Sequence, residues 1–290
     1  MVALVKEDPC WFLEVDRNQF STALSISEED EEDSAHSARM ELIDGMQSES
    51  FFVISGPNAA TTLQLNHAHK SGFHLSANGV ISLMNRYNGI RELSLSYSLL
   101  SDELLKALSS EKNLQLKTLR VEAHPDTKPI TNVSCETWIE FADHFPNLIL
   151  LLQAYLIEAS DYEGLLAKHI PVTHLYLGDC VPNGAIDRIP ECCPKLTELV
   201  IASYGPQNID HILLATARSC PRLIALGLGD CEFTCSGFIE FVRMCCQRLQ
   251  VLYVLETSLL EDSTYNNVAV VSAKVSALLG RSWHPNYVPY

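Results

Sequence analysis

The sequence predicts an α/β leucine-rich-repeat solenoid, a right-handed coil of strand–helix units whose parallel strands line its concave face. A template of an apolar residue, two variable residues, Leu, one variable residue and an aliphatic residue recurs seven times in 290 residues. Successive copies, with a degenerate eighth included, begin 24 to 32 residues apart, close to the period of leucine-rich repeats. A segment with helical spacing follows most copies. One unit buries too little apolar surface to fold alone, so the units must stack.

Residues 1–50 differ from the rest of the chain, and we expect an acidic, disordered tail there. They hold thirteen Asp and Glu against three Lys and Arg, and the run SISEEDEEDSAHSAR spans Ser25–Arg39. Like charges at this density repel one another and cannot be buried. An alternative is a phosphorylatable docking segment at Ser25 or Ser27. The solenoid is therefore expected over residues 51–280.

Composition excludes several classes of partner. The formal net charge of −16 opposes binding to nucleic acid, whose phosphates need a basic face. The longest apolar stretch, residues 148–157, is shorter than the roughly 20 residues of a membrane span, and the N-terminus has no secretory segment. The ten cysteines are therefore expected to be free thiols in a reducing compartment.

The strands are predicted at the copies of the template. These copies are Ala60/Leu63/Leu65, Ile90/Leu93/Leu95, Leu116/Leu119/Val121, Val172/Leu175/Leu177, Leu196/Leu199/Ile201, Leu223/Leu226/Leu228 and Leu249/Leu252/Val254. The degenerate copy, at Leu148/Leu151, has Gln153 in its third position. Residues between the core leucines are expected to face solvent on the concave side.

Helices are predicted after the strands. Ser101 precedes a segment with two acids in its first turn and Leu104, Leu105 and Leu108 on one face, so Ser101 is an expected N-cap. The same pattern recurs over residues 134–145, 209–220 and 236–246. Pro194 and Pro221 fall just beyond two of these segments, where a helix stops.

The cysteines follow the repeat, which predicts a structural role for them. Cys180 and Cys231 each end a copy of the string LGDC, at the point where a strand becomes a loop. Cys193, Cys220 and Cys246 each lie three residues before the next repeat's first leucine. Because cysteine is a small residue that is often buried, we expect all five thiols in the core.

Metal binding and catalysis are disfavoured as alternatives. Cys231 and Cys235 have a C-x₃-C spacing without a second pair, and His67 and His69 have no ligand-type neighbour in sequence. The sequence has no G-x-S-x-G, P-loop or G-x-G-x-x-G motif. No cofactor, metal or catalytic residue is therefore expected, and a metal- or thiol-dependent enzyme is a remote alternative.

Four stretches carry a resemblance to a known family. They are GIRELSLSYSLLSDELLKALSSEKN at Gly89–Asn113, THLYLGD at Thr173–Asp179, IALGLGDCEFTCSGFIEFVRMC at Ile224–Cys245 and LLGRSWHPNYVPY at Leu278–Tyr290. The chain resembles the F-box leucine-rich-repeat proteins over residues 60–290, and within them the F-box/LRR-repeat protein 3 group. The resemblance implies a substrate receptor of an SCF ubiquitin ligase that recognises cryptochrome, a circadian-clock protein, in nucleus and cytoplasm. It also implies that the receptor has no catalytic residue.

The sequence departs from the family at two places. Residues 1–60 contain no Leu-Pro motif of an F-box, so docking to a Skp1–cullin complex requires an F-box supplied upstream. An alternative is a leucine-rich-repeat scaffold that binds a partner without ligase coupling. The family's tail ends in Trp shortly after a proline and probes the flavin pocket of cryptochrome, whereas Pro289 is followed here by Tyr290.

Candidate partner contacts lie on the strands and in the tail. Aromatic residues are enriched at protein interfaces, and prolines reduce the entropy lost when a tail docks. The candidates are His174, Tyr176, Tyr253, Trp283, Pro285, Tyr287, Pro289 and Tyr290. Trp283 has an alternative role as a cap over the last repeat. We expect deletion of residues 283–290 to weaken cryptochrome binding strongly and to leave thermal stability nearly unchanged.

Overall fold

A computed structural model describes residues 52–55, 61–65, 79–81, 90–110, 114–129, 131–203 and 208–287. The predicted acidic tail lies outside the described residues. The chain divides into two compact units, Met1–Leu150 and Leu151–Tyr290. Parallel strands alternate with helices along both units, which confirms the predicted α/β leucine-rich-repeat fold class.

The first unit has a sheet whose first strand is antiparallel and whose later strands are parallel. Its elements are β1 (Phe52–Ser55), β2 (Thr61–Leu65), β3 (Ile90–Ser96), α1 (Asp102–Ser110), β4 (Thr118–Ala123) and α2 (Cys135–His144). The register aligns Leu63, Leu93 and Leu119, which are at most 1% exposed. The template therefore predicted the core leucines of these strands correctly.

The helices α1 and α2 both begin directly after predicted N-cap serines. Ser101 accepts a hydrogen bond from the Leu104 amide at 3.2 Å, and Ser134 accepts one from the Thr137 amide at 3.3 Å. Each bond satisfies one of the first amides of a helix, which have no partner within it. α2 then buries Trp138 almost completely.

The second unit contains the remaining repeats. Its elements, the first of which begins two residues before the unit does, are β5 (Ile149–Ala154), α3 (Ala159–Leu165), β6 (His174–Asp179), α4 (Asn183–Ile186), α5 (Ile189–Cys192), β7 (Glu198–Ser203), α6 (Asp210–Ser219), β8 (Ala225–Gly229), β9 (Phe233–Thr234), α7 (Cys235–Cys245), β10 (Val251–Val254), β11 (Leu259–Leu260) and α8 (Val268–Leu279). β5, β6, β7, β8 and β10 are parallel neighbours in that order. Leu175, Leu199, Leu226 and Leu252 lie side by side as predicted.

The degenerate copy at β5 has a different register from the one expected. Leu152, and not Leu151, pairs with the core residue Leu175, so Gln153 lies beside Tyr176 on the opposite face. This strand has one more residue than the template between its first leucine, Leu148, and its core leucine. Because side chains alternate along a strand, a single extra residue exchanges the two faces.

The structure buries three of the five cysteines assigned to the core. Cys193 and Cys220 are 0% exposed and Cys231 is 1% exposed. The Cys220 thiol donates to the Cys193 carbonyl of the preceding repeat at 3.3 Å. Burial raises the pKa of Cys220 to about 11 and that of Cys231 to about 12, so both remain neutral thiols at pH 7.

Cys180 is exposed, which corrects its assignment to the core. β8 ends at Gly229, and Asp230 then adopts a φ of 58°, after which Cys231 turns inward. β6 instead continues to Asp179, so the same string LGDC is extended one residue further. The buried residue after this strand is Val181, which is 2% exposed.

Prolines orient two of the buried thiols. Cys193 and Cys220 have ψ values of 51° and 76°, outside the helical region. Each precedes a proline, and the ring of a proline disfavours the helical conformation of the residue before it. The helix therefore ends at the cysteine.

Cys246 is half-exposed, which corrects its assignment to the core. It precedes Gln247 and keeps helical angles, with φ −53° and ψ −33°. Without the proline the helical turn persists for one more residue, and the Cys245 carbonyl accepts a hydrogen bond from the Leu249 amide. Cys245, at 0% exposed, is the thiol that lies in the core.

Candidate functional site

The sheet of the second unit has a face whose side chains alternate with the core leucines, and we name it the outer face. Parallel strands in register bring the outer-face residues of neighbouring repeats together. Five of these residues form what we name the outer patch: His174, Tyr176, Glu198, Val251 and Tyr253. Three of the predicted partner contacts, His174, Tyr176 and Tyr253, therefore lie on this one face.

Glu198 is held by two neighbours from β6. The Tyr176 hydroxyl donates to Glu198 Oε1 at 3.0 Å, and His174 Nε2 lies 3.8 Å from Glu198 Oε2. The other ring nitrogen of His174 lies 2.9 Å from the Thr173 hydroxyl. The hydrogen bond from Tyr176 therefore orients the carboxylate before any partner binds.

The carboxylate of Glu198 is partly removed from water. Burial raises its pKa above the ordinary value, and the hydrogen bond from Tyr176 opposes that shift without cancelling it. Its side chain is still 34% exposed, and that of His174 is 24% exposed. A partner can therefore contact the Glu198 carboxylate, which has already lost part of its hydration on folding.

Exposure across the outer patch is uneven. Tyr176 is 5% exposed, so it presents little of its ring, whereas Val251 is 56% exposed. Tyr253 is half-buried, and burial raises the pKa of its hydroxyl. The surface that a partner can contact is concentrated at Glu198 and on β10.

β8 contributes no large side chain to the outer face. Ala225 lies between Glu198 and Val251, and Gly227 lies between Val200 and Tyr253. Since neighbouring strands are about 4.8 Å apart, the strands on either side of β8 are about 10 Å apart. Ala225 and Gly227 are both buried between these neighbours, and we name the pair the β8 floor.

Trp283 lies in the capping position, one of the two alternatives that the sequence left open. It is 6% exposed, its ring lies 5.4 Å from that of Phe238, and its Nε1 donates to the Leu252 carbonyl at 2.9 Å. Its amide and carbonyl both bond to the Ser276 hydroxyl. A residue this buried stabilises the last repeat and offers a partner little surface.

The segment after Trp283 pairs with the end of β10. The Asn286 amide donates to the Val254 carbonyl at 2.7 Å, and its carbonyl accepts from the Glu256 amide at 2.9 Å. Pro285 is half-buried, and Tyr287 is 67% exposed. Pro289 and Tyr290 lie outside the described residues, so Tyr287 is the tail candidate that the structure presents to solvent.

Glu198 is a residue that the sequence interpretation missed. It immediately precedes the core leucine Leu199, as His174 precedes Leu175. Aligning the residues before each core leucine would have placed the two side by side. The sequence criterion for a partner contact favoured aromatic residues, and a single acid in an acidic chain is not distinctive.

The arrangement has the chemistry of a binding surface, with an acidic acceptor beside aromatic and aliphatic groups. Within the part of the chain that the structure describes, no three His, Cys, Asp or Glu side chains are grouped to hold a metal ion. Among the same residues, none of the helices has the length and apolar character needed to cross a bilayer.

Comparison with curated proteins finds relatives named F-box/LRR-repeat protein 21. The bovine (Bos taurus) protein is 37% identical over 219 residues, which are 74% of this chain and 50% of the relative. The sheep (Ovis aries) and mouse (Mus musculus) proteins are each 36% identical over the same coverage. The chain thus spans about half the length of the curated relatives it matches, and the similarity supports the F-box/LRR-repeat family.

Other comparisons add less. No family model matches the chain. A solved structure described as the crystal structure of a TLR13–ssRNA13 complex matches 76% of this chain and 32% of its own, with 14% identity and a TM-score of 0.38.

Proposed function

We propose that this chain, a relative of the F-box/LRR-repeat proteins over about half their length, is a substrate-recognition subunit of an SCF-type ubiquitin ligase. Its proposed substrate is a cryptochrome-like circadian-clock protein, which it directs to ubiquitination and proteasomal degradation. The sequence relationship to the F-box/LRR-repeat proteins carries the proposal. The role of the chain is to bind and position, while other subunits transfer ubiquitin.

The geometry supports a binding role. The outer patch joins an accessible acid to aromatic and aliphatic side chains on a rigid sheet, and Tyr287 adds an exposed aromatic residue after the cap. Rigid surfaces lose little entropy on association. We extend the proposal to residence in nucleus and cytoplasm, which imaging of the tagged chain in cells tests.

Binding to purified cryptochrome tests the substrate. The full chain is immobilised, cryptochrome is titrated, and the dissociation constant is measured for the chain and for Tyr287→Ala. Saturable binding that weakens about tenfold in the variant is expected, because interface aromatics often contribute 1–2 kcal/mol or more. Lack of binding by the unaltered chain contradicts cryptochrome as the substrate.

A scaffold that binds a partner without ligase coupling is the second candidate, because the outer patch serves binding in either case. Co-purification separates the two candidates. The full chain is used to capture Skp1, cullin and cryptochrome. Co-purification of Skp1 and cullin with the chain supports ligase coupling, whereas capture of cryptochrome without them supports the scaffold.

A further inference from the structure

Glu198 has a distinctive place among the charges of the outer face. On β5, β6, β7, β8 and β10, it is the one acidic residue among the described outward-facing positions, and none of these positions is Lys or Arg. Its ion-pair partner among the described residues is His174, at 3.8 Å, which is a cation only when protonated. The face therefore has a fixed negative centre without a permanent cation beside it.

The two oxygens of Glu198 have different surroundings. Oε1 accepts the Tyr176 hydroxyl at 3.0 Å, whereas Oε2 lies beyond hydrogen-bond distance of His174. A carboxylate that is already partly dehydrated and held in position gives a strong bond to an incoming charged donor. Oε2 is the atom at which such a donor would bind.

The surface beside Glu198 suits the stem of a long basic side chain. Val251, two strand spacings from Glu198 across the β8 floor, is 56% exposed and supplies apolar surface. The methylene groups of Lys or Arg bury readily on apolar surface while the charged group reaches a polar partner. Tyr253 lies on the same face of β10, and the face of its aromatic ring attracts cations.

We propose that Glu198 is the anchor for a lysine or arginine side chain of the bound protein, whose stem crosses the β8 floor from Val251 and whose charged group binds Oε2. The inference rests on the proposed protein-binding function and specifies the chemistry of the partner. A basic segment of the partner supplies the side chain. The match is one of charge, since the described residues of this face include an acid and no Lys or Arg.

Neutral and reversed variants of Glu198 test the anchor. The full chain carries Glu198→Gln, which keeps an acceptor for Tyr176, or Glu198→Lys, and the matched control is Glu163→Gln on the surface of α3. Thermal melting first establishes that each variant is folded. Purified cryptochrome is the first probe.

Binding to cryptochrome should weaken about tenfold or more in Glu198→Gln, more in Glu198→Lys, and less than twofold in the control, since bonds to charged groups are the stronger ones. Equal binding by Glu198→Gln overturns the anchor and leaves the substrate assignment intact. No binding by the unaltered chain removes cryptochrome as substrate, and a second probe then decides the anchor.

That second probe is a library of random twelve-residue peptides selected on the full chain. The anchor predicts peptides enriched in Lys or Arg whose binding falls about tenfold in Glu198→Gln and is unaffected in Glu163→Gln. A selection that yields no peptide dependent on Glu198 overturns it. The two probes therefore separate failure of the anchor from failure of the substrate.

Discussion

Gly237 has no side chain and so allows two neighbouring repeats to pack closely. It lies in the first turn of α7, and a Cβ built at this position would be 2.6 Å from Asp210 Oδ1. The carboxylate of Asp210 lies there because it accepts the Thr234 amide at 2.8 Å. A side chain at residue 237 would therefore displace a contact between neighbouring repeats.

Replacing Gly237 with alanine should lower the free energy of unfolding by about 1–3 kcal/mol, the usual range for overpacking in a close contact. Urea denaturation measures the change. Gly184→Ala is the control, because its Cβ would meet the Ala159 Cβ at 3.7 Å, an ordinary contact. Equal stability of the two variants would show that Asp210 moves aside without loss.

For the cysteines predicted at helix ends, burial was predictable from sequence only where a proline followed the cysteine. Pro194 and Pro221 end their helices at the cysteine, and spacing alone located Cys193 and Cys220. Cys246 has the same spacing but no proline after it, and its helix turns once more. Spacing indicates where a residue lies along the chain, whereas backbone angles decide which way its side chain points.

At the scale of elements, acidic side chains join the N-termini of neighbouring helices. Asp102 of α1 accepts the amide of Ser134, the N-cap of α2, and Asp210 of α6 accepts that of Thr234, the N-cap of α7. Asp262 reaches Ser236 in the first turn of α7 from the following repeat. Each carboxylate accepts a hydrogen bond from a backbone amide at or next to the start of a helix. Its negative charge also interacts favourably with the positive end of the helix dipole.

The effect of Asp262→Asn should depend on pH. Burial acts to raise the pKa of Asp262, but hydrogen bonds from the amides of Ser236, Tyr265 and Thr264 outweigh it and lower the pKa below its usual 3.8. A lowered pKa in the folded state means that the ionised form contributes stability above pH 3.8, and this contribution is lost as pH falls through the folded value.

Urea denaturation at pH 7 and at about pH 3 tests this sign. Asp262→Asn should be less stable than the unaltered chain at pH 7, and the difference should shrink at the lower pH. Glu261→Gln, at the exposed neighbouring position, is expected to change stability little at either pH. If the stability difference between Asp262→Asn and the unaltered chain grows as the pH falls, the assigned direction of the pKa shift is wrong.

The elements themselves were largely predictable because the repeat constrains them. The second and third positions of all seven copies lie on strands, and their core leucines are in register with those of paired copies. Ala60, the first position of the first copy, lies outside the described residues. The register of β5 was not predictable, because Ile149–Ala154 has four consecutive aliphatic residues and no alternation to mark the inner face. The outer patch was predicted in part, since aromatic residues stand out in a sequence and the isolated acid Glu198 does not.

For the whole molecule, the end of the second unit depends on Trp283. A stack of repeats needs a cover over the apolar side of its last member. Trp283 supplies it by packing against Phe238 and bonding to Leu252. The expectation that residues 283–290 are dispensable for stability is therefore revised, because that deletion removes the cover.

Trp283→Ala should lower the free energy of unfolding by about 3–5 kcal/mol, as for other large buried aromatics. Tyr287→Ala, at a residue 67% exposed, should leave it nearly unchanged. Calorimetry or urea denaturation measures both. A small effect of Trp283→Ala would show that the last repeat is stable without its cover.

The pairing of Asn286 with Val254 and the bond from Trp283 to Leu252 also satisfy backbone carbonyls on the free side of β10. Unpaired edges of sheets can recruit strands from other molecules and so nucleate aggregates. The segment from Trp283 to Asn286 thus blocks the route by which one copy could add to another end to end. A chain without it would be prone to polymerise even while its remaining repeats stayed folded.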